Sequence, residues 1–227
     1  PFEKPFYEKW DYSVEYVGHP LMEVIGQFIH AHPELKRNEK LVALLPGSRR
    51  QEILKKLPVM LETSKRFPEL EFVVAKAPGL PDDFYEPLLA AFPNVTATSN
   101  ATYSLLMQAS AALVTSGTAT LETALFGVPQ VVCYKGNKIS YHIAKRLIKV
   151  KYISLVNLIM DRLIVKEMIQ DDMNADNLAL ELKNILAGGD YRARIESDYC
   201  ALKNILHQEG NASARAAASI WQFMQHR

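Results

Sequence analysis

Apolar residues along positions 41–134 fall into two alternating patterns. Short runs at 41–45, 71–75, 95–98, 111–115 and 130–134, apolar or β-prone apart from Glu71 and Gln130, have the length and composition of strands in a buried sheet. Between them the apolar positions recur every three or four residues, as in Ile53, Leu54, Leu57, Met60 and Leu61 within 51–67, which is the spacing of an amphipathic helix. Further helices are predicted over 82–91, 103–109 and 121–126. Pro58 lies inside the first of these segments and predicts a kink or a break there. Strands and helices alternating at this spacing predict an α/β fold: a Rossmann-like parallel sheet with helices on both faces.

The flanks follow other rules. Residues 2–20 are aromatic and proline-bearing and read as a connector ending in the short apolar stretch 14–17, which leads into a strand and the Gly18-His19-Pro20 turn; His19 reads as a junction residue. A helix is predicted over 21–31 and a polar linker over 33–40. Beyond 134 the alternation fades into an amphipathic helix at 139–148, an extended piece at 152–155 and a brief helix at 165–170. Helices at 174–187 and 191–206, separated by Gly188-Gly189, and an Ala-rich helix at 213–225 complete the chain. The expected organisation is a connector with the first strand and helix (1–40), a nucleotide-binding unit (41–187) and C-terminal helices (188–227).

Length and composition narrow the function classes. At 227 residues with 48% apolar content the chain can bury a sizeable core. A formal charge of +1 argues against nucleic acid as a partner. Cys133 and Cys200 have neither metal-ligand spacing nor the number of a disulfide framework, so a reducing compartment is expected. The weakly charged stretch 109–134 contains Glu122, Pro129 and many Ser and Thr residues, which reads as strand-turn-helix-strand rather than a membrane span. The chain opens on Pro1-Phe2-Glu3, from which a piece of something longer is expected.

Candidate chemistry concentrates in two turns. Ser116-Gly-Thr-Ala-Thr-Leu-Glu122 follows the apolar run ending at Val114, and Pro46-Gly47-Ser48-Arg49 follows the run ending at Leu45. A strand, a small-residue turn and a helix bring unpaired backbone N–H groups and the positive end of a helix dipole to one point, which suits a diphosphate. Either turn alone also fits plain helix capping. Two of them at strand ends point to a nucleotide cleft. The expected ligands of a nucleotide are Gly47, Ser48, Ser116, Gly117, Thr118, Ala119 and Thr120. Arg49 is suited to bidentate contact with phosphate, and Glu122, about one turn into its helix, to the hydroxyls of a ribose. Asn157 either points its amide into a ligand or caps the next short helix. Lys135, Lys138, Lys145, Arg146, Lys149 and Lys151 form a basic cluster that fits a solvated face, a sugar-nucleotide phosphate or an anionic membrane surface. No cofactor, no metal-ligand set and no general base is evident.

Taken together, these residues give the chain a resemblance to the C-terminal half of the lipid-A-disaccharide synthases, which are GT-B glycosyltransferases. The matching pieces are Pro1-Phe-Glu-Lys4, Tyr16-Val-Gly-His-Pro20, Leu44-Leu-Pro-Gly-Ser-Arg49 with Glu52-Ile53, and Ser116 to Glu122. Pro129-Gln-Val-Val-Cys-Tyr-Lys135, Ala144-Lys-Arg-Leu147, Tyr152-Ile-Ser-Leu-Val-Asn157 and Lys166-Glu-Met-Ile-Gln170 continue the match. Val156 stands where the family usually has Pro.

The resemblance implies one half of a GT-B fold and transfer of a UDP-linked 2,3-diacylglucosamine to 2,3-diacylglucosamine 1-phosphate, with release of UDP. On that basis Gly47 to Arg49 and Gly117 to Thr120 hold the diphosphate, Glu122 holds the ribose and Asn157 lies near the donor. The acceptor site and the base belong to the missing half, so this chain alone is expected to be inactive. The resemblance also implies a cytoplasmic enzyme, peripheral at the inner face of the inner membrane, and C-terminal helices that can exchange between subunits of a homodimer. A UDP-GlcNAc epimerase, another GT-B transferase and a non-catalytic nucleotide-binding module remain alternatives.

Overall fold

The computed structural model describes residues 3–136, 151–207 and 211–225. The helix expected at 139–148, and with it Lys138, Lys145, Arg146 and Lys149 of the basic cluster, lies outside the described residues.

Six strands form one parallel sheet in the order β3-β2-β1-β4-β5-β6: β1 (Asn38–Leu45), β2 (Glu71–Ala75), β3 (Val95–Thr98), β4 (Ala109–Thr115), β5 (Gln130–Tyr134) and β6 (Glu167–Ile169). All seven residues of β4 and the last five of β1 are buried. That is why these strands read as continuous apolar runs rather than alternating ones. The register pairs Leu44 with Leu113 and Leu45 with Val114, which brings the ends of β1 and β4, and the two small-residue turns beyond them, side by side. Chain order reverses between these two strands, the topological switch point at which open α/β sheets bind ligands.

The early helices are α1 (Lys4–Glu8), α2 (Pro20–Ala31), α3 (Arg50–Ser64), α4 (Asp82–Leu89), α5 (Thr102–Gln108) and α6 (Thr118–Leu125). The later ones are α7 (Leu155–Met160), α8 (Ala175–Leu186), α9 (Gly189–Leu206) and α10 (Ala212–Gln225). Helix α3 packs on α8, which covers β4 and β5, whereas α2, α5 and α6 pack together and against strands β1, β2, β4 and β5. The two sets cover opposite faces of the sheet, as right-handed crossovers to either side of β1 and β4 require.

Several local expectations are corrected. Pro58 does not break α3, which runs unbroken from Arg50 to Ser64. The carbonyl deprived of its donor is that of Leu54, an exposed residue, where water can replace the missing N–H. Residues 14–17 form no strand: the segment has no ladder partner and packs beside the C-terminal helices, the Tyr16 hydroxyl donating to the Leu206 carbonyl at 3.2 Å and Ser219 donating to Glu15 at 2.7 Å. Residues 165–170 form no α-helix; only Gln170 is helical, as the first residue of a 3-10 turn, Gln170–Asp172. Glu167–Ile169 instead pairs with β5, whose edge offers ready backbone partners. The extended piece expected at 152–155 ends at Ser154, whose hydroxyl caps α7 by accepting the Asn157 N–H.

Candidate functional site: a cleft at the sheet's switch point

The turn after β1 and the turn after β4 each carry a glycine that its backbone requires. Gly47 has φ +117° and Gly117 has φ +143°, conformations that residues with a Cβ rarely adopt. A Cβ at Gly47 would also stand 2.8 Å from Glu52 Oε2, so the carboxylate would have to shift. Arg49 is the N-cap of α3 and Gly117 the N-cap of α6, and neither end has a side-chain cap hydrogen bond. Two helix N-termini therefore face one opening with no N-cap side chain hydrogen-bonded to their amides, the arrangement that favours an anion.

Between them lies a cleft of about 230 Å³. Gly47, Ser48 and Glu52 form one wall, and Ser116, Gly117, Thr118, Ala119 and Glu122 the other. The remaining boundary comes from the strand ends at Leu45, Ala75 and Thr115, from Lys76, Ala77 and Pro78 just after β2, and from Thr102 at the start of α5. Seven of the ten nucleotide ligands expected from the sequence thus meet in one place.

The other three stand elsewhere. Arg49 sits at the rim, its side chain 81% exposed and its Nη1 donating to Glu52 Oε1 at 3.0 Å. Thr120 is buried beneath the turn; its N–H and its hydroxyl both return to the Gly117 carbonyl, at 3.1 and 2.8 Å. Asn157 is fully buried and does not line the cleft. Its amide donates to the Val165 carbonyl and to Glu167 Oε1, and its carbonyl accepts the Ile164 and Val165 N–H groups. Rather than capping α7, a task that falls to Ser154, Asn157 staples the helix to the loop before β6. This staple reaches the cleft indirectly. Glu167 also accepts the N–H groups of Ile153 and Ser154, and Ser116 donates its hydroxyl to the Ile153 carbonyl at 2.7 Å.

Glu122 lies on the cleft wall with Tyr103 beside it, the phenol donating to Oε1 at 3.2 Å. Burial, with the neighbouring carboxylate adding to it, pushes the Tyr103 hydroxyl up to about 12, so it stays a donor and keeps Glu122 oriented. Phe28 and Phe126 pack edge-on or tilted against the Tyr103 ring, with centroids 5.4 and 5.1 Å away.

Sequence reasoning missed four contributors. Lys76 lies on the cleft with its side chain 12% exposed, bound to Asp82 at 2.6 Å; its place directly after the strand 71–75 was the available signal. Thr115 ends β4 with a buried hydroxyl that has no hydrogen-bond partner among the described residues. Glu52 had been noted only within a motif. Lys56, buried behind Glu52, falls among Ile53, Leu57 and Met60 on the apolar stripe of α3, where a lysine is out of pattern.

Among the described residues no group of three or more His, Cys, Asp and Glu side chains is placed to hold a metal ion. None of the described helices is long and apolar enough to cross a membrane. His19 caps α2 by accepting the Leu21 N–H at 3.3 Å, a junction role.

The profile of the family described as Lipid-A-disaccharide synthetase matches residues 1–221. The Lipid-A-disaccharide synthase of Geobacter sulfurreducens is 36% identical over 240 residues, an alignment covering 99% of this chain and 61% of the relative. That of Syntrophus aciditrophicus is 36% identical over 232 residues, covering 97% and 60% respectively. The chain thus spans about three fifths of the length of these curated relatives. Among solved structures, the UDP-GlcNAc 2-epimerase from Neisseria meningitidis bound to UDP-GlcNAc superposes with a TM-score of 0.59 at 16% identity, over 92% of this chain and 56% of that one. CalG4, the calicheamicin glycosyltransferase, gives 0.54 at 19% identity, over 80% of this chain and 41% of that one. At such identities the likeness is one of fold.

Proposed function

The chain belongs to the Lipid-A-disaccharide synthetase family, and from that premise we propose that it is the donor-binding half of a glycosyltransferase that joins two acylated glucosamines. The donor is a UDP-linked 2,3-diacylglucosamine and the acceptor 2,3-diacylglucosamine 1-phosphate. The single observation that carries this reading is the pair of glycine turns, Gly47 and Gly117, opening two helices side by side at the switch point of the sheet.

In this reading the diphosphate lies across the N-termini of α3 and α6. Amides of Gly47, Ser48 and Gly117 to Ala119 meet its oxygens, and the exposed Arg49 swings inward to pair with it. Those groups act most strongly when the glycosidic bond breaks and negative charge collects on departing UDP, so they lower the barrier rather than merely bind. Backbone dipoles and Arg49 supply the neutralisation that a divalent ion supplies elsewhere. Glu122, held by Tyr103, accepts the ribose hydroxyls. Asn157 positions the Ser116 turn through Glu167 and Ile153. Inversion at the anomeric carbon also needs a base on the acceptor hydroxyl, and we assign that base and the acceptor pocket to the part of the relatives that this sequence does not span. The lipid substrates put the work at the cytoplasmic face of the inner membrane, and the C-terminal helices are assigned to a homodimer interface.

The test is a product assay. The chain, incubated with both acylated sugars, is expected to bind the donor and yield no disaccharide, whereas the same chain within a full-length enzyme yields disaccharide and UDP. Disaccharide formation by the isolated chain at the full-length rate would contradict the assignment of the base. Turnover of unacylated UDP-GlcNAc by the full-length form, with no transfer of acylated sugar, would replace the proposed reaction with an epimerase or another transferase.

A further inference from the structure

The Glu52 carboxylate already occupies the turn at which a diphosphate is expected. Glu52 stands in the first turn of α3, where the helix dipole favours an anion. Its Oε2 lies 2.8 Å from the point at which a Gly47 Cβ would be built, so the carboxylate rests on the glycine turn itself. Its Oε1 accepts from Arg49. Any phosphate entering here meets a resident negative charge and a guanidinium already engaged.

One turn further along α3, Lys56 approaches the same carboxylate from inside the protein, Nζ to Oε2 3.7 Å, with its side chain only 4% exposed. Burying an ammonium is costly, and burial pushes the Lys56 ammonium below its usual range, with Glu52 opposing that shift and Arg49 adding to it. The face it shares with Ile53, Leu57 and Met60, each fully buried, would pack an apolar residue at lower cost. Lys56 does not line the cleft, so it acts through Glu52.

We propose, on the footing of the donor-binding reading above, that Lys56 is a positioning residue for the diphosphate seat: it neutralises Glu52 from behind, so that Arg49 can pass to the ligand without leaving an unpaired carboxylate against the phosphates. The asymmetry of exposure supports the exchange. Arg49, at 81% exposed, breaks an exposed pair that contributes little, whereas the Lys56–Glu52 pair is sheltered and persists.

Calorimetric titration of the chain with UDP and with uridine, at one ionic strength, tests this with Lys56→Met, Glu52→Gln and the double variant. Lys56→Met is expected to weaken UDP about tenfold and uridine less than about twofold, because only UDP brings like charge to an uncompensated Glu52. Adding Glu52→Gln to Lys56→Met restores UDP affinity, an outcome that a purely structural lysine does not produce. Glu52→Gln alone binds UDP at least as tightly as the parent, and this arm decides the matter if Lys56→Met does not fold. Equal losses for UDP and uridine, a loss that persists in the double variant, or weaker UDP binding by Glu52→Gln would overturn the proposal. A folded parent that binds neither ligand would overturn the donor-binding reading itself, a separate failure.

Discussion

Asn157 donates its side-chain amide to the Glu167 carboxylate at 2.8 Å, joining α7 to the edge strand β6 across a loop. The same side chain accepts two backbone N–H groups, from Ile164 at 2.8 Å and Val165 at 3.1 Å. Asn157→Ala leaves both donors buried without partners, which costs about 3 kcal/mol. Urea denaturation should show a lower midpoint at unchanged slope. A loss below about 1 kcal/mol would mean that the loop finds other partners.

Much of this fold was legible because a parallel sheet buries both faces of its strands. The runs at 71–75 and 130–134 coincide with β2 and β5, the run at 95–98 with the partly exposed edge strand β3, and the turns that follow β1 and β4 were identified by their glycines. Edges were less legible. β6 has three residues, too few for a periodicity to declare itself, and its existence depends on β5 needing a partner. Asn157 was noticed as a polar residue in an apolar stretch, but polarity in a buried stretch does not say whether the partner is a ligand or the chain's own backbone. Lys56 shows the converse: one charge on an apolar stripe was the only sign of the pair beneath the glycine turn.

Gly47→Ala should damage the cleft more than Gly117→Ala. Both positions have positive φ, but a Cβ at Gly47 also meets Glu52, whereas at Gly117 nothing lies within 4 Å. Each variant is expected to lose about 1–3 kcal/mol of stability to backbone strain, with Gly47→Ala losing more UDP affinity. Thermal unfolding and UDP titration of the two variants side by side would show equal losses if Glu52 were free to move aside.

Tyr103→Phe keeps the ring packing against Phe28 and Phe126 and removes only the hydrogen bond to Glu122. Uridine and UDP should both weaken, by about 1 kcal/mol, because the effect lies at the ribose end. A loss confined to UDP would place Glu122 at the phosphates instead.

The two cysteines should differ in reactivity. Cys133 is buried, and burial pushes its thiol up to about 12 from 9.0, while Cys200 is exposed. Iodoacetamide on the native chain at pH 8 should therefore add one group, at Cys200, and mass spectrometry would detect modification at Cys133 if the β5 core opened.

The same burial gives a pH dependence. Tyr103 and Cys133 both keep their protons longer folded than unfolded, holding to about 12 against 10.0 and 9.0. Their contribution is fully present below about pH 9 and is lost as pH rises towards about 12, because the unfolded chain releases these protons first. The denaturation midpoint should fall across that window, and the fall should be shallower in Tyr103→Phe. An unchanged slope in that variant would mean that Tyr103 ionises as readily folded as unfolded.

The central claim is that the cleft between the Gly47 and Gly117 turns holds UDP, and calorimetric titration of the chain with UDP, beside Arg49→Ala and Glu122→Ala, tests it most directly. The prediction is saturable binding by the parent, with each variant weakened at least about tenfold while remaining folded. No binding by a folded parent, or parent-like affinity in both variants, would contradict it.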